Sequence, residues 1–184
     1  MHWTTECMME EHANINRMLD VVERECVAVL DGKAIDPSFW EQAIAFIRLY
    51  SDKHHHGKEE QFLFPVMVRK LGRVGETMVT HGMLVEHDLG RSHVKDLEAS
   101  LNQWKEKPTT LAKLGILANA MAYVKLLRLH TAKENNVVYT FAERMLDAES
   151  WKEIDAAAKA FETDPKNLQV KETYLALLAR FEGQ

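Results

Sequence analysis

Apolar residues recur along this chain every three to four positions, the period of helices that bury one face. In the first stretch Met8, Ile15, Leu19, Val22, Cys26 and Val29 share a side, and Gly32 marks the stop, which predicts a helix over about residues 5–30. Asp36 followed by Pro37 reads as an N-cap and first-turn pair, so a second helix opens there and runs toward Lys70, kinked at Pro65 and ended by Gly72. A third helix covers about 76–105 before Pro108, and a fourth about 110–146. Two shorter helices follow, one opened by a Ser150–Glu153 capping box and one by Asp164-Pro165. Tyr174, Leu175, Leu178 and Phe181 give the last an apolar face, which covers the bundle or meets a second copy in a homodimer.

Short connections between long amphipathic helices favour antiparallel neighbours. The expected fold is therefore all-α: an up-down-up-down four-helix bundle over residues 1–148, with a helical extension over 149–184. Composition agrees, since 8 Gly, 4 Pro and 46% hydrophobic residues suit one helical domain of 184 residues. A formal net charge of −5 with dispersed Lys and Arg argues against a nucleic-acid partner. The opening lacks a basic-then-apolar leader and no 18-residue apolar stretch is read, so no membrane partner is expected. Cys7 and Cys26 are too few and too separated for a disulfide framework or a CxxC site, and read as packing thiols of a cytoplasmic protein.

The nine histidines change the picture. His12 and His55 are 43 positions apart, as are His87 and His130, and the halves are offset by 75 (12 to 87, 55 to 130, 59 to 134). Each half is thus a helix with a lone His, then a helix with His-x-x-x-Glu. On a helix, positions i and i+4 lie roughly 40° apart on one face, so His55 with Glu59, and His130 with Glu134, each aim an imidazole and a carboxylate the same way. Such nitrogen and oxygen donors suit first-row metals, and one carboxylate from each of two helices can bridge two ions. Four buried histidines and two buried glutamates would otherwise carry a large desolvation cost. His12, His55, Glu59, His87, His130 and Glu134 are the expected ligands. Zinc or manganese would accept the same set as iron.

Register follows from neighbours. His55 shares its face with Ile44, Phe62 and Val66, whereas Arg48 and Asp52 crowd the face of His56, so 55/59 points inward and 56/60 lies at the edge. His54 is expected in solvent, Lys58 and Lys133 as surface lysines, and His81 and His93 on the surface. No histidine follows a Glu at three residues, which excludes the Glu-x-x-His pattern of ferritin-like bundles.

HHGKEEQFLFP, VEHDLGR and HTAKENNVVYTFAER, with EEHANI before them, resemble the hemerythrin-like HHE cation-binding domain over roughly residues 5–146. The resemblance implies a non-haem di-iron centre on the six residues above, with the glutamates bridging. It implies binding or sensing of dioxygen, nitric oxide or peroxide, or alternatively an enzyme that reduces peroxide or nitric oxide, or iron handling and iron–sulfur repair. Two departures stand out. Met83 and Arg91 occupy the positions where oxygen carriers place a fifth histidine on the third helix, and Val138-Tyr139-Thr140 replaces a second Leu-Phe-Pro, read as a packing change.

Overall fold

The computed structural model describes residues 1–183, which form six helices: α1 (Trp3–Leu30), α2 (37–70), α3 (72–106), α4 (Thr110–Met145), α5 (Ala148–Thr163) and α6 (Pro165–Glu182). Among the described residues there is no strand. The punctuation is mostly where the residue types place it. Asp36 accepts a hydrogen bond from the Ser38 amide at 2.9 Å, Thr109 from the Ala112 amide at 3.1 Å, and Asp164 from the Lys166 amide at 2.9 Å. The capping box expected at Ser150 is not the start of α5. Asp147 caps it instead, accepting from the Ser150 amide at 2.8 Å, so Ser150 falls inside the first turn. Pro65 lies inside α2. It follows a widened turn over Glu59–Leu63, where the i→i+4 ladder is already interrupted and its missing N–H is absorbed.

Helix α3 begins at residue 72 rather than near 76. Leu71 alone separates it from α2, and Gly72 at φ +58° supplies the left-handed residue that reverses the chain. Gly75 lets the two helices meet: a Cβ there would lie 2.4 Å from the Met67 carbonyl oxygen and 2.9 Å from Leu71 Cβ. Gly75→Ala should therefore destabilise the fold by about 1–3 kcal/mol through overpacking, read as a lower urea midpoint at constant slope. An unchanged midpoint would mean that this corner yields freely.

Two apolar clusters fill the interior. One holds Ile15, Leu19, Val22, Trp40, Phe46, Tyr50, Val94, Leu97, Ile116, Val124 and Leu127; the other holds Met8, Leu63, Phe64, Val66, Met67, Met83, Val138, Tyr139 and Trp151. The candidate ligands occupy the layer between them. Along α1 and α3 the chain passes from the second cluster through His12 or His87 into the first, and along α2 and α4 it passes the opposite way. The apolar face of α6 covers the bundle, with Leu178 and Phe181 buried in the first cluster. Helix α5 inserts Trp151 and Ile154 into the second. Helix α4 does contain an 18-residue window apolar enough, by length and composition, to cross a membrane, contrary to the sequence reading. Its polar residues are scattered, so no uninterrupted apolar run marks it in the sequence, and Ile116, Ala120, Tyr123, Val124 and Leu127 line the core.

Candidate metal centre

Each of the two glutamates opens a widened, i→i+5 turn, Glu59–Leu63 on α2 and Glu134–Val138 on α4, and Ile47–His56 is wound the same way. Such turns concentrate where side chains must be re-aimed for function. They hold more residues per turn, so adjacent side chains diverge by less than the roughly 100° of an α-helix. His55 and His56 consequently both reach the interior. The expectation that His56 sits at the edge is wrong for this reason.

All six expected residues are buried and converge on one layer. Together with His56 they form two donor groups, each with its ligand atoms within 4.8 Å of one another: His12, His55, Glu59 and Glu134, and His56, Glu59, His87 and His130. Glu59 belongs to both. Its Oε2 lies 3.8 Å from His55 Nε2 and 3.5 Å from His87 Nε2. Glu134 also spans them, with Oε2 at 3.2 Å from both His12 Nε2 and His130 Nε2. The fifth imidazole, which α3 lacks at residues 83 and 91, comes from His56 on α2. In the repeat its counterpart is Thr131, so the two groups hold two and three imidazoles respectively.

The other nitrogen of every ring fixes the tautomer. His12 Nδ1–H donates to Asn135 Oδ1 at 2.7 Å, His55 to Glu11 Oε2 at 2.9 Å, His56 to Asp52 Oδ1 at 3.3 Å, His87 to Glu60 Oε1 at 2.7 Å, and His130 to Glu86 Oε2 at 2.9 Å. All five partners are oxygens that only accept, so Nδ1 carries the proton and Nε2 presents a bare lone pair. The sequence repeat runs through this outer layer as well. Glu11 and Glu86, Asn135 and Glu60, and Lys58 and Lys133 stand 75 positions apart, and Lys58 donates to Glu11 as Lys133 does to Glu86. On the remaining side Arg91 holds both Asp52 and Glu60, at 2.7 Å each.

The inward atoms, by contrast, have no such partners. His12 Nε2, His55 Nε2, His56 Nε2, Glu59 Oε2 and both Glu134 oxygens are buried without a hydrogen bond, and His87 Nε2 faces His130 Nε2 at 3.1 Å, acceptor against acceptor. Buried polar groups rarely stay unsatisfied, and a set composed only of acceptors is satisfied by cations. Burial and then the neighbouring Glu134 charge push the Glu59 carboxyl well above the usual carboxylate range, because two such groups do not both ionise without positive charge between them. The residues present therefore fit a pair of metal ions.

Three further residues depart from the sequence reading. Tyr139 is more than packing: its hydroxyl donates to Glu59 Oε1 at 2.5 Å and its ring stacks on His12 at 5.5 Å between centroids. His54 and Lys58 are buried rather than solvated, because α5 lies over them and brings Glu162 to both. A cavity of about 250 Å³, walled by Ile47, Val94, Gly90 and Tyr123, leads from the surface near Arg91 to His56 and His87.

The Hemerythrin HHE cation binding domain family matches residues 4–142, and the chain belongs to it. Among curated proteins it is 26% identical over 164 residues to the uncharacterized protein Rv1995 of Mycobacterium tuberculosis and, to the same extent, to the uncharacterized protein Mb2018 of Mycobacterium bovis. These alignments cover 86% of this chain and 60% of each relative, so the chain spans less than two thirds of their length. No solved structure matches.

Proposed function

We propose that this chain is a hemerythrin-like non-haem di-iron protein that binds or senses a small ligand such as dioxygen, nitric oxide or peroxide. One observation carries the reading: five buried imidazoles have their Nδ1–H groups tied to fixed oxygens and turn their Nε2 atoms toward two shared carboxylates, three of those atoms without a partner and the other two facing each other. His12 and His55 would hold one ion, His56, His87 and His130 the other, and Glu59 and Glu134 would bridge. When bound, an iron pair supplies a redox-active Lewis-acid site for a diatomic or peroxide ligand. The unequal imidazole count would leave the ion on His12 and His55 with fewer protein donors. The alternating direction in which the long helices cross the ligand layer supports the up-down-up-down bundle over residues 1–148. Residues 149–184 would be its extension.

A second reading, an enzyme that reduces peroxide or nitric oxide, is favoured by Tyr139. It places a buried hydroxyl on the shared Glu59, a proton-bearing group outside the ligand set. Metal analysis and an optical spectrum of protein purified without chelator test the first reading. Two irons per chain with near-ultraviolet charge-transfer bands are expected, and metal-free protein that takes up no iron would overturn it. Steady-state consumption of peroxide by the iron-loaded protein would select the second.

A further inference from the structure

The Glu11–Lys58 pair behind one half of the centre is repeated as Glu86–Lys133 behind the other, but α5 lies against only the first. Lys133 is exposed over 44% of its side chain, whereas Lys58, its counterpart, is exposed over 1%. Glu162 near the end of α5 makes the difference. Its Oε1 accepts from Lys58 and lies 2.8 Å from His54 Nε2, and its Oε2 accepts from Lys171 of α6 at 2.7 Å. The Phe161 ring closes over the ammonium at 5.8 Å and over His54 at 5.3 Å. Cys7, Glu11 and Glu162 approach as closely as a cation site would require, but the Lys58 ammonium bonds to both carboxylates and already supplies that charge.

We propose that Glu162 is a positioning residue for the ion held by His12 and His55, acting through Lys58 and Glu11 on the His55 ring. This rests on the two-metal reading above. A buried ammonium has three donors to satisfy and no water to turn to, and Lys58 shares them between two carboxylates. Glu11 divides its oxygens: Oε1 takes Lys58 and Oε2 takes the His55 Nδ1–H. Without Glu162, Lys58 is left with Glu11 alone and competes with His55 for Oε2. The His55 ring then loses the contact that fixes its tautomer and direction. Lys133 meets no such conflict because water serves it. The extension beyond the matched residues 4–142 thus adds a second difference between the two metal positions, beside their imidazole count.

The test is Co²⁺ titration of the full chain, followed by calorimetry and by visible ligand-field absorption, with His55→Ala identifying which binding step belongs to this ion. Glu162→Ala should weaken that step by roughly 10–100-fold and leave the other within about twofold. Glu162→Gln keeps a carbonyl acceptor for Lys58 and should fall between wild type and Glu162→Ala. Both steps at wild-type affinity would overturn the inference, as would equal weakening of both, which marks mere scaffolding. Should circular dichroism show that Glu162→Ala fails to fold, Glu162→Gln carries the test: selective weakening supports the inference and no change overturns it. Wild-type protein that binds no Co²⁺ would overturn the two-metal reading itself, and this inference with it.

Discussion

Ferrous iron at a thousandfold excess over its dissociation constant should stabilise the fold by about 4 kcal/mol at neutral pH, because the unfolded chain does not gather the ligands. For a chain of 184 residues that is a rise in melting temperature of roughly 10 °C. The metal-free protein should stay helical, since the two apolar clusters on either side of the ligand layer do not depend on the ions. It should loosen first at the widened turns of α2 and α4, where unpartnered acceptors face one another. Acid should lower the stability of the metal-free fold and, through His87, reduce the gain from metal. Burial, and then the charge His12 would carry, lower the His55 pKa from the ordinary 6.5 to about 4, and burial with His87 lowers His56. Their folded pKa values lie below the unfolded ones, so the unfolded chain binds more protons and stability falls as pH drops from about 6.5 toward 4. His87 has the opposite sign in the metal-free protein: burial opposes protonation, but Glu134 and Glu60 raise its pKa, so its contribution is present at low pH and lost as pH rises. A metal ion on Nε2 must displace that proton, so acid opposes binding at His87 rather than at His55, whose ring is still neutral at pH 5. Melts with and without Fe²⁺ at pH 7 and pH 5 should show the gain shrinking markedly. A gain that is absent at pH 7 means the ions are not held by these imidazoles, and one that persists undiminished at pH 5 means that His87 is not among the ligands.

Much of this centre was legible because the repeat of 75 positions is written in residue types. The same offset that pairs His12 with His87 also pairs Glu11 with Glu86 and Lys58 with Lys133, so the acid before each lone histidine and the lysine before each inner glutamate were visible as a pattern. Their role was not, because Glu11 serves His55 and Glu86 serves His130, contacts between helices that no local spacing encodes. A regular α-helical projection puts His56 at the edge of the core. The widened turn over Ile47–His56 has no sequence signature strong enough to displace that default. His54 and Lys58 were misjudged for another reason: their environment is set by α5, about a hundred residues away, and periodicity within α2 says nothing of what will cover its outer face. By residue type alone Tyr139 reads as one aromatic standing in for another. The repeat shows what the substitution adds, since its counterpart Phe64 packs beside His87 with no hydroxyl to offer Glu134.

Replacing Glu59 with Ala should strip the protein of both ions, whereas replacing Glu60 with Ala should weaken only one. Glu59 is fully buried, and one of its oxygens lies within 3.8 Å of an imidazole nitrogen in each donor group, so a single side chain serves both. Its loss also leaves the buried Tyr139 hydroxyl without its acceptor, a cost of about 1–3 kcal/mol that is independent of metal. Glu59→Gln separates the two effects: the amide oxygen still accepts from Tyr139, but the negative charge that balances two cations is gone. Glu60 is one residue on and points outward, yet it is not inert, because it accepts the Nδ1–H of His87 and is itself held by Arg91. Glu60→Ala should therefore cost roughly 10–100-fold in affinity for the ion on the His87 side and leave the other ion in place. Iron per chain, measured after gel filtration, should approach zero for both Glu59 variants and lie between one and two for Glu60→Ala. Two tightly held irons in Glu59→Ala would mean that the carboxylate is not shared, and equal losses from the two alanine variants would mean that the bridge is carried by residue 60 instead.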